Sequence, residues 1–436
     1  MSRMLSCLII AFTYIFMSPA HALAPVKEVV SDSGLKAWVI EDHTNPIVAL
    51  KFSFRAGAAH DPVGLEGLAR LAASTMDEGA GPWGSQGFQS RLEDMSITLR
   101  FDAGMDSFSG RLLTLRENLQ PALEMLREAL LHPRFDEEPV ERIRKQLLSG
   151  LRQSEEDPNT IAALTLYKSI FKDHPYARGS KGTISGINKI QQNDLKTFVQ
   201  TRLGKDNLVV GVAGDITQEE VKDLLDKTFG DLPKNAKSWE LPNVVPIFDN
   251  SLSITNKPVP QSTILFAQNG MERHHKDFYA AYVLNYILGG GSFASRLYAE
   301  VREKRGLVYS VYSYLANYDK ANLWMAGAGT QNARVKETLD VVRAEWEKLQ
   351  KDGATLEEVT NAKTYLTGSF PLRFKSSATI AAILAGMQRD NLPIDFLKQR
   401  NAQVEAVTLE DVNRVAKTLL DPAKLKVIVV GQPEGL

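Results

Sequence analysis

Residues Asp194–Gly214 read DLKTFVQTRLGKDNLVVGVAG, and residues Asp411–Gly431 read DVNRVAKTLLDPAKLKVIVVG, 217 positions later at both ends. In each run a helical stretch passes through a polar turn into an apolar strand that closes on glycine. Asp194/Asp411, Leu208/Leu425, Val210/Val427 and Gly214/Gly431 coincide at that single offset. A repeat this long is a duplication of a large folding unit, not a short-period solenoid.

Working outward, each half opens alike. Residues 46–52 (PIVALKF) and 261–266 (QSTILF) alternate and are β-branched, which predicts strands. Leu119, Leu123, Leu126 and Leu130 recur at helical spacing and stop before Pro133. Segment 233–250 carries Pro233, Pro242 and Pro246 with little periodicity and reads as a linker. The expected architecture is α+β: two homologous halves, residues 23–232 and 251–436, each a mixed sheet with helices packed on one side.

Length and charge set outer bounds. The 436 residues suit two or three domains with real cores, and 51 basic against 52 acidic residues give no reason to expect a nucleic acid as partner. Residues 1–22 read as a secretory signal peptide, with Arg3, an apolar run from Met4 to about Met17, and cleavage after Ala22 or Ala24, the former keeping Pro25 off the cut. That run is shorter than the roughly 20 residues a spanning helix needs. Cys7, the single cysteine, lies in it, so the mature chain would have no thiol chemistry and no disulfide. Export to a bacterial periplasm is the expectation, with no membrane attachment after cleavage.

The chain also carries an ordered series of short motifs. Gly64-Leu65-x-Gly67-Leu68-Ala69 comes first, then His174-Pro175-Tyr176, Gly182-Thr183, Asp206-Asn207-Leu208 and Gly214-Asp215. Leu288-Gly289-Gly290-Gly291-Ser292, Ser295-Arg296-Leu297 and the run Arg302–Ser310 follow. In order and spacing this resembles the pitrilysin-type metallopeptidases, in the small-subunit branch that holds the mitochondrial processing peptidase and bacterial two-subunit peptidases. The resemblance covers nearly all of the mature chain. It implies two halves facing each other like an open shell.

The resemblance also implies a zinc helix with the inverted motif H-x-x-E-H, two histidine ligands and a glutamate that activates water. Residues 64–76 read as that amphipathic helix, and positions 70, 73 and 74 share one face of it. They hold Arg70, Ala73 and Ser74, none of which can replace a ligand or the general base. The family's third ligand falls at or next to Gly150, on a helix running from Val140 to about Ser154; a shifted alignment points to Glu155 or Glu156. No metal site is expected in this chain. A Glu66–Arg70 pair, four apart, is the simple expectation for Arg70.

In the second half, residues 293–305 read as a helix ended by Gly306, and 307–314 as a strand. Arg302 and Tyr309 have six residues between them. In the resembled family an arginine and a tyrosine at that spacing contact the scissile carbonyl and stabilise the oxyanion. By residue type alone, Arg302 could equally serve the helix dipole and Tyr309 could simply pack. Gly289, Gly290, Gly291 and Ser292 form either a flexible helix connection or a substrate-contacting loop; a phosphate loop is excluded, since no Gly-Lys-[Ser/Thr] follows. His43, His60, His132 and His174 are scattered, and the adjacent His274 and His275 would point about 100° apart on a helix, so surface or loop positions are expected.

Two functions of different class follow. One is a metal-free subunit of a heterodimeric zinc peptidase, in which a homologous partner with intact H-x-x-E-H supplies zinc and base while this chain supplies Arg302, Tyr309 and part of a chamber for peptide substrates. The other is a non-enzymatic periplasmic peptide-binding or scaffold protein of the same fold. An autonomous peptidase would need a metal site that the sequence lacks.

Overall fold

A computed structural model describes residues 25–237 and 240–436; the expected signal peptide, with Cys7, lies outside the described residues. In the first half six strands form one sheet: β1 (Lys27–Val30), β2 (Lys36–Glu41), β3 (Ile47–Phe54), β4 (Thr98–Ala103), β5 (Phe108–Leu115) and β6 (Leu208–Gly214). The order is β1-β2-β6-β3-β5-β4, and only the β2–β6 pair is parallel. The second half repeats it with β7 (Leu252–Asn256), β8 (Gln261–Asn269), β9 (Val308–Asn317), β10 (Asn322–Gln331) and β11 (Lys426–Gly431) in the order β7-β11-β8-β10-β9, with β11–β7 parallel. The duplicated runs therefore end in β6 and β11, which hold the same place in the two sheets. β1 has no counterpart.

Strand composition requires cover on both faces. β11, KVIVVG, is buried at every position, and β3 alternates Phe52 and Phe54 on one face with Ala49 on the other, all buried. A strand apolar all round must be packed on both sides. On one side each sheet carries helices of its own half, around Phe52, Phe54 and Phe108 in the first and Trp324 and Trp346 in the second. On the other side the halves exchange helices. Helix Ser377–Arg389 sets Ile380, Ala381, Leu384 and Met387 on Trp38, Ile40, Ala49 and Ala213 of the first sheet. Helix Pro158–Phe171 sets Ala162, Leu166 and Ile170 on Ala267, Leu323, Met325, Ile428 and Val430 of the second. Both helices start on side-chain caps, Asp157 with Pro158 behind it and Ser376. The first exchange is close enough to need a glycine in β6: a Cβ on Gly211 would lie 2.3 Å from the Ala381 carbonyl oxygen.

The described residues of segment 233–250 form no helix or strand, yet they are not loose. Leu241 is buried and Val244 and Phe248 pack beside it between the halves, and the Ile247 N–H donates to the Ile170 carbonyl at 2.9 Å. No helix among the described residues is long and apolar enough to cross a membrane.

Candidate functional site: a metal-free helix and an arginine–tyrosine concavity

The first-half helix is shorter than its apolar pattern. It spans Leu68–Thr75, because Gly67 sits at φ +109° and breaks the chain direction before it. Buried Asp61 caps it from outside, its carboxylate accepting the N–H groups of Gly67 and Ala69 at 2.8 and 3.0 Å. Burial pushes the Asp61 carboxyl up to about 6, against the pull of those N–H groups and of Arg178 and Arg202. Glu66 thus precedes the helix, and the expected Glu66–Arg70 pair does not form. Glu66 faces Arg178 at 3.7 Å, while Arg70 reaches Asp102 on edge strand β4 at 3.3 Å. Ala73 is buried and Ser74 half-buried.

Gly150 lies inside the helix Glu137–Glu156, and a Cβ there would meet nothing within 4 Å. Glu156, at the end of that helix, pairs with Lys257 at 2.5 Å. Among the described residues no group of three or more His, Cys, Asp or Glu is placed to hold a metal ion. Surface or loop positions are the expectation for the histidines; His174 does lie in a loop, but it and His60, in a short 3₁₀ turn, are buried, and His174 Nε2 lies 2.9 Å from the Pro242 carbonyl oxygen. His174 closes the linker against its half, a role its isolated position in the sequence does not reveal.

The second half holds the concavity. The stretch expected as one helix over 293–305 is a short 3₁₀ turn, Ser292–Ala294, followed by a π-helical turn, Tyr298–Glu303. A second π turn, Tyr286–Gly290, precedes it. Such turns are rare and concentrate at functional sites. The glycine run is therefore a locked turn rather than a flexible connection. A Cβ on Gly289 would lie 2.7 Å from the Ser313 backbone nitrogen, one on Gly290 2.5 Å from Asn285 Nδ2, and one on Gly291 2.8 Å from the Tyr286 carbonyl oxygen. Buried Asn285 ties the turn to β9, accepting from the Ser313 hydroxyl at 2.8 Å.

Gly289, Gly290, Ser292, Arg302 and Tyr309 line one open concavity of about 420 Å³ beside β9, the edge strand of its sheet. Gly291 is outside it. Phe293, Tyr298 and Tyr312 add aromatic rings to the wall, which Ser310, Val311 and Ser313 of β9 complete; sequence reasoning assigned none of these to the site. Tyr309 is 82% exposed and Phe293 71%, so two large rings stand in water at the rim. The Arg302 guanidinium lies near two rings, 4.8 Å from the centre of Tyr298 and 5.3 Å from that of Tyr309, and it donates a hydrogen bond to the Tyr298 hydroxyl.

The neighbouring cations are paired with acids. Arg296 grips Glu358 at 2.6 and 2.8 Å, and Arg305 and Lys304 both hold Glu300, at 2.7 and 2.6 Å. Service to the last carbonyls of the turn falls to Arg305 and Arg334, which donate to the Glu300 and Gly306 oxygens. Arg302 does neither. Among the described residues its partners are a phenol oxygen and two aromatic rings, with no carboxylate, so its charge is oriented without being neutralised. A guanidinium in that state attracts a carbonyl oxygen, and the more so as negative charge develops on it.

Two repeated α+β halves, a first-half helix stripped of metal ligands and a second-half Arg–Tyr concavity define a peptidase-type scaffold without a metal centre of its own. The comparisons give the family. Residues 36–183 match the family described as "Insulinase (Peptidase family M16)", and residues 189–366 match "Peptidase M16 inactive domain". The chain belongs to peptidase family M16 and is a pitrilysin-like member without the metal-binding motif. A Helicobacter pylori protein described as "Non-peptidase homolog YmxG" is 29% identical over 86% of this chain and 87% of its own length. An "Uncharacterized zinc protease YmxG" of Bacillus subtilis is 24% identical over 90% and 95%. The solved structure of a peptidase M16 inactive domain from Pseudomonas fluorescens superposes with a TM-score of 0.88 at 28% identity, covering 94% of this chain and 98% of that one.

Proposed function

We propose that this chain is the metal-free subunit of a heterodimeric zinc peptidase of the periplasm. A homologous partner with an intact H-x-x-E-H helix supplies zinc and the general base. This chain supplies Arg302 and Tyr309 to the scissile carbonyl of a bound peptide, and one wall of the chamber that holds it. The observation that carries this reading is the unneutralised Arg302 at the rim of a concavity, amid basic neighbours that are all paired with carboxylates. The free edge of β9 beside it suits an extended peptide, which would add as a strand through main-chain hydrogen bonds.

The description of the Helicobacter pylori relative as a non-peptidase homologue favours a second reading, a peptide-binding or scaffold protein that cuts nothing. A scaffold has no use for an oriented, uncompensated cation, which is why the first reading stands ahead. The test is co-expression with a homologous M16 chain of the same organism that keeps H-x-x-E-H. The expected result is a stable complex that cleaves unstructured peptides while neither chain does so alone. A chain that forms no complex and binds peptides uncut would replace the first reading by the second.

A further inference from the structure

We infer that Tyr298 is a positioning residue for Arg302, holding the guanidinium so that its remaining N–H groups face the concavity. This rests on the reading above of Arg302 as a carbonyl-binding group.

The argument begins with backbone geometry. Tyr298 and Arg302 are the first and fifth residues of the π turn Tyr298–Glu303, in which the Lys304 N–H reaches back to the Ala299 carbonyl at 3.0 Å. Residues four apart lie side by side on a helical surface. The Tyr298 ring is itself fixed: it is 8% exposed, Phe293 packs edge-on at 4.8 Å, and its N–H donates to the Ser295 hydroxyl. Its hydroxyl then accepts from Arg302, and its ring centre lies 4.8 Å from the guanidinium carbon.

Tyr309 also lies near the guanidinium, its ring centre 5.3 Å away, but it is 82% exposed, so it cannot fix a neighbour to the same degree. A carboxylate in place of the phenol would orient Arg302 equally well but would cancel its charge. A ring alone would offer contact without direction. The Tyr298 hydroxyl adds a directed hydrogen bond to the ring contact while leaving the charge intact. Misplacement of a charge-stabilising group by about 1 Å can cost on the order of 100-fold in rate.

The test compares Tyr298→Phe, which keeps the ring and its contact, with Arg302→Ala. In the paired enzyme Tyr298→Phe is expected to lower kcat roughly tenfold with KM and Tm unchanged. In the isolated chain, relaxation of the Arg302 Nε–H signal in nitrogen-15 NMR is expected to change from rigid to mobile in the same variant. A merely structural ring would give wild-type kcat and a rigid Arg302 signal in Tyr298→Phe, and that result overturns the inference. If Arg302→Ala itself leaves turnover unchanged, the reading of the site fails instead. The NMR result still decides whether Tyr298 orients the side chain.

Discussion

Arg302 and Tyr309 line one concavity, and among the described residues the arginine there has no carboxylate partner. Spacing shows that two side chains meet; it does not show that one of them lacks an acid partner. Tyr298 carried a usable signal, an aromatic residue four before an arginine, yet on ordinary helices that common pattern implies only proximity and not a hydrogen bond from guanidinium to phenol. Arg70 shows the opposite case. Its i,i+4 neighbour Glu66 looked like its partner, but Gly67 at φ +109° places Glu66 outside the helix and frees Arg70 for Asp102. That exposed pair contributes about 0–1 kcal/mol, so Arg70→Ala is expected to change stability by less than about 1 kcal/mol in chemical denaturation. Asp61 gives the stronger prediction. Its carboxyl titrates near 6 in the folded chain and near 3.9 unfolded, so its stabilising share is full below about pH 4 and is lost as pH rises to about 6. Urea titrations across that window should show the loss in the wild type, up to roughly 3 kcal/mol, and a flatter profile in Asp61→Asn. Asp77, also buried and raised to about 6, leaves a residual slope in both. Glu220 and Asp249, held down to about 2 by Arg116 and Lys426, titrate below the window.

At the scale of elements, the helices and strands with strong periodicity lay close to where the sequence put them, and the glycine turn did not. Gly289-Gly290-Gly291 reads as freedom, whereas the structure uses it as space: each α-carbon is pressed against backbone or a buried amide. Nothing in a triplet of glycines distinguishes the two uses. Gly150 is the contrast, a helical glycine with open space around it. Gly289→Ala should therefore destabilise the chain by about 1–3 kcal/mol, since its clash is with the Ser313 backbone. Gly150→Ala should stabilise it by up to about 1 kcal/mol, since a helix gains from the change and nothing is in the way. Thermal denaturation of the two variants measures both signs. Equal effects would mean that crowding at the turn is not what selects its glycines.

At the scale of the molecule, the duplication was plain from residues 194–214 and 411–431, but the exchange of helices was not. Burial at every position of β11 demands cover on both faces, and the amphipathic pattern of residues 377–389 demands a surface; neither says that the surface belongs to the other half. The exchange makes the halves one cooperative unit. Leu384→Ala, a second-half substitution in a fully buried position on the first sheet, should cost about 2–5 kcal/mol and lower the first-half and second-half transitions together. Separate transitions, with only one moved, would show that the halves unfold independently. A rigid two-half body is also a suitable wall for a chamber completed by a second subunit. The most direct test of that central claim is the turnover of the proposed complex of this chain with an H-x-x-E-H partner when Arg302 is replaced by alanine. The account predicts that Arg302→Ala leaves assembly and the partner's zinc intact and lowers kcat by about 100-fold to 1,000-fold. Wild-type turnover in that complex would contradict it.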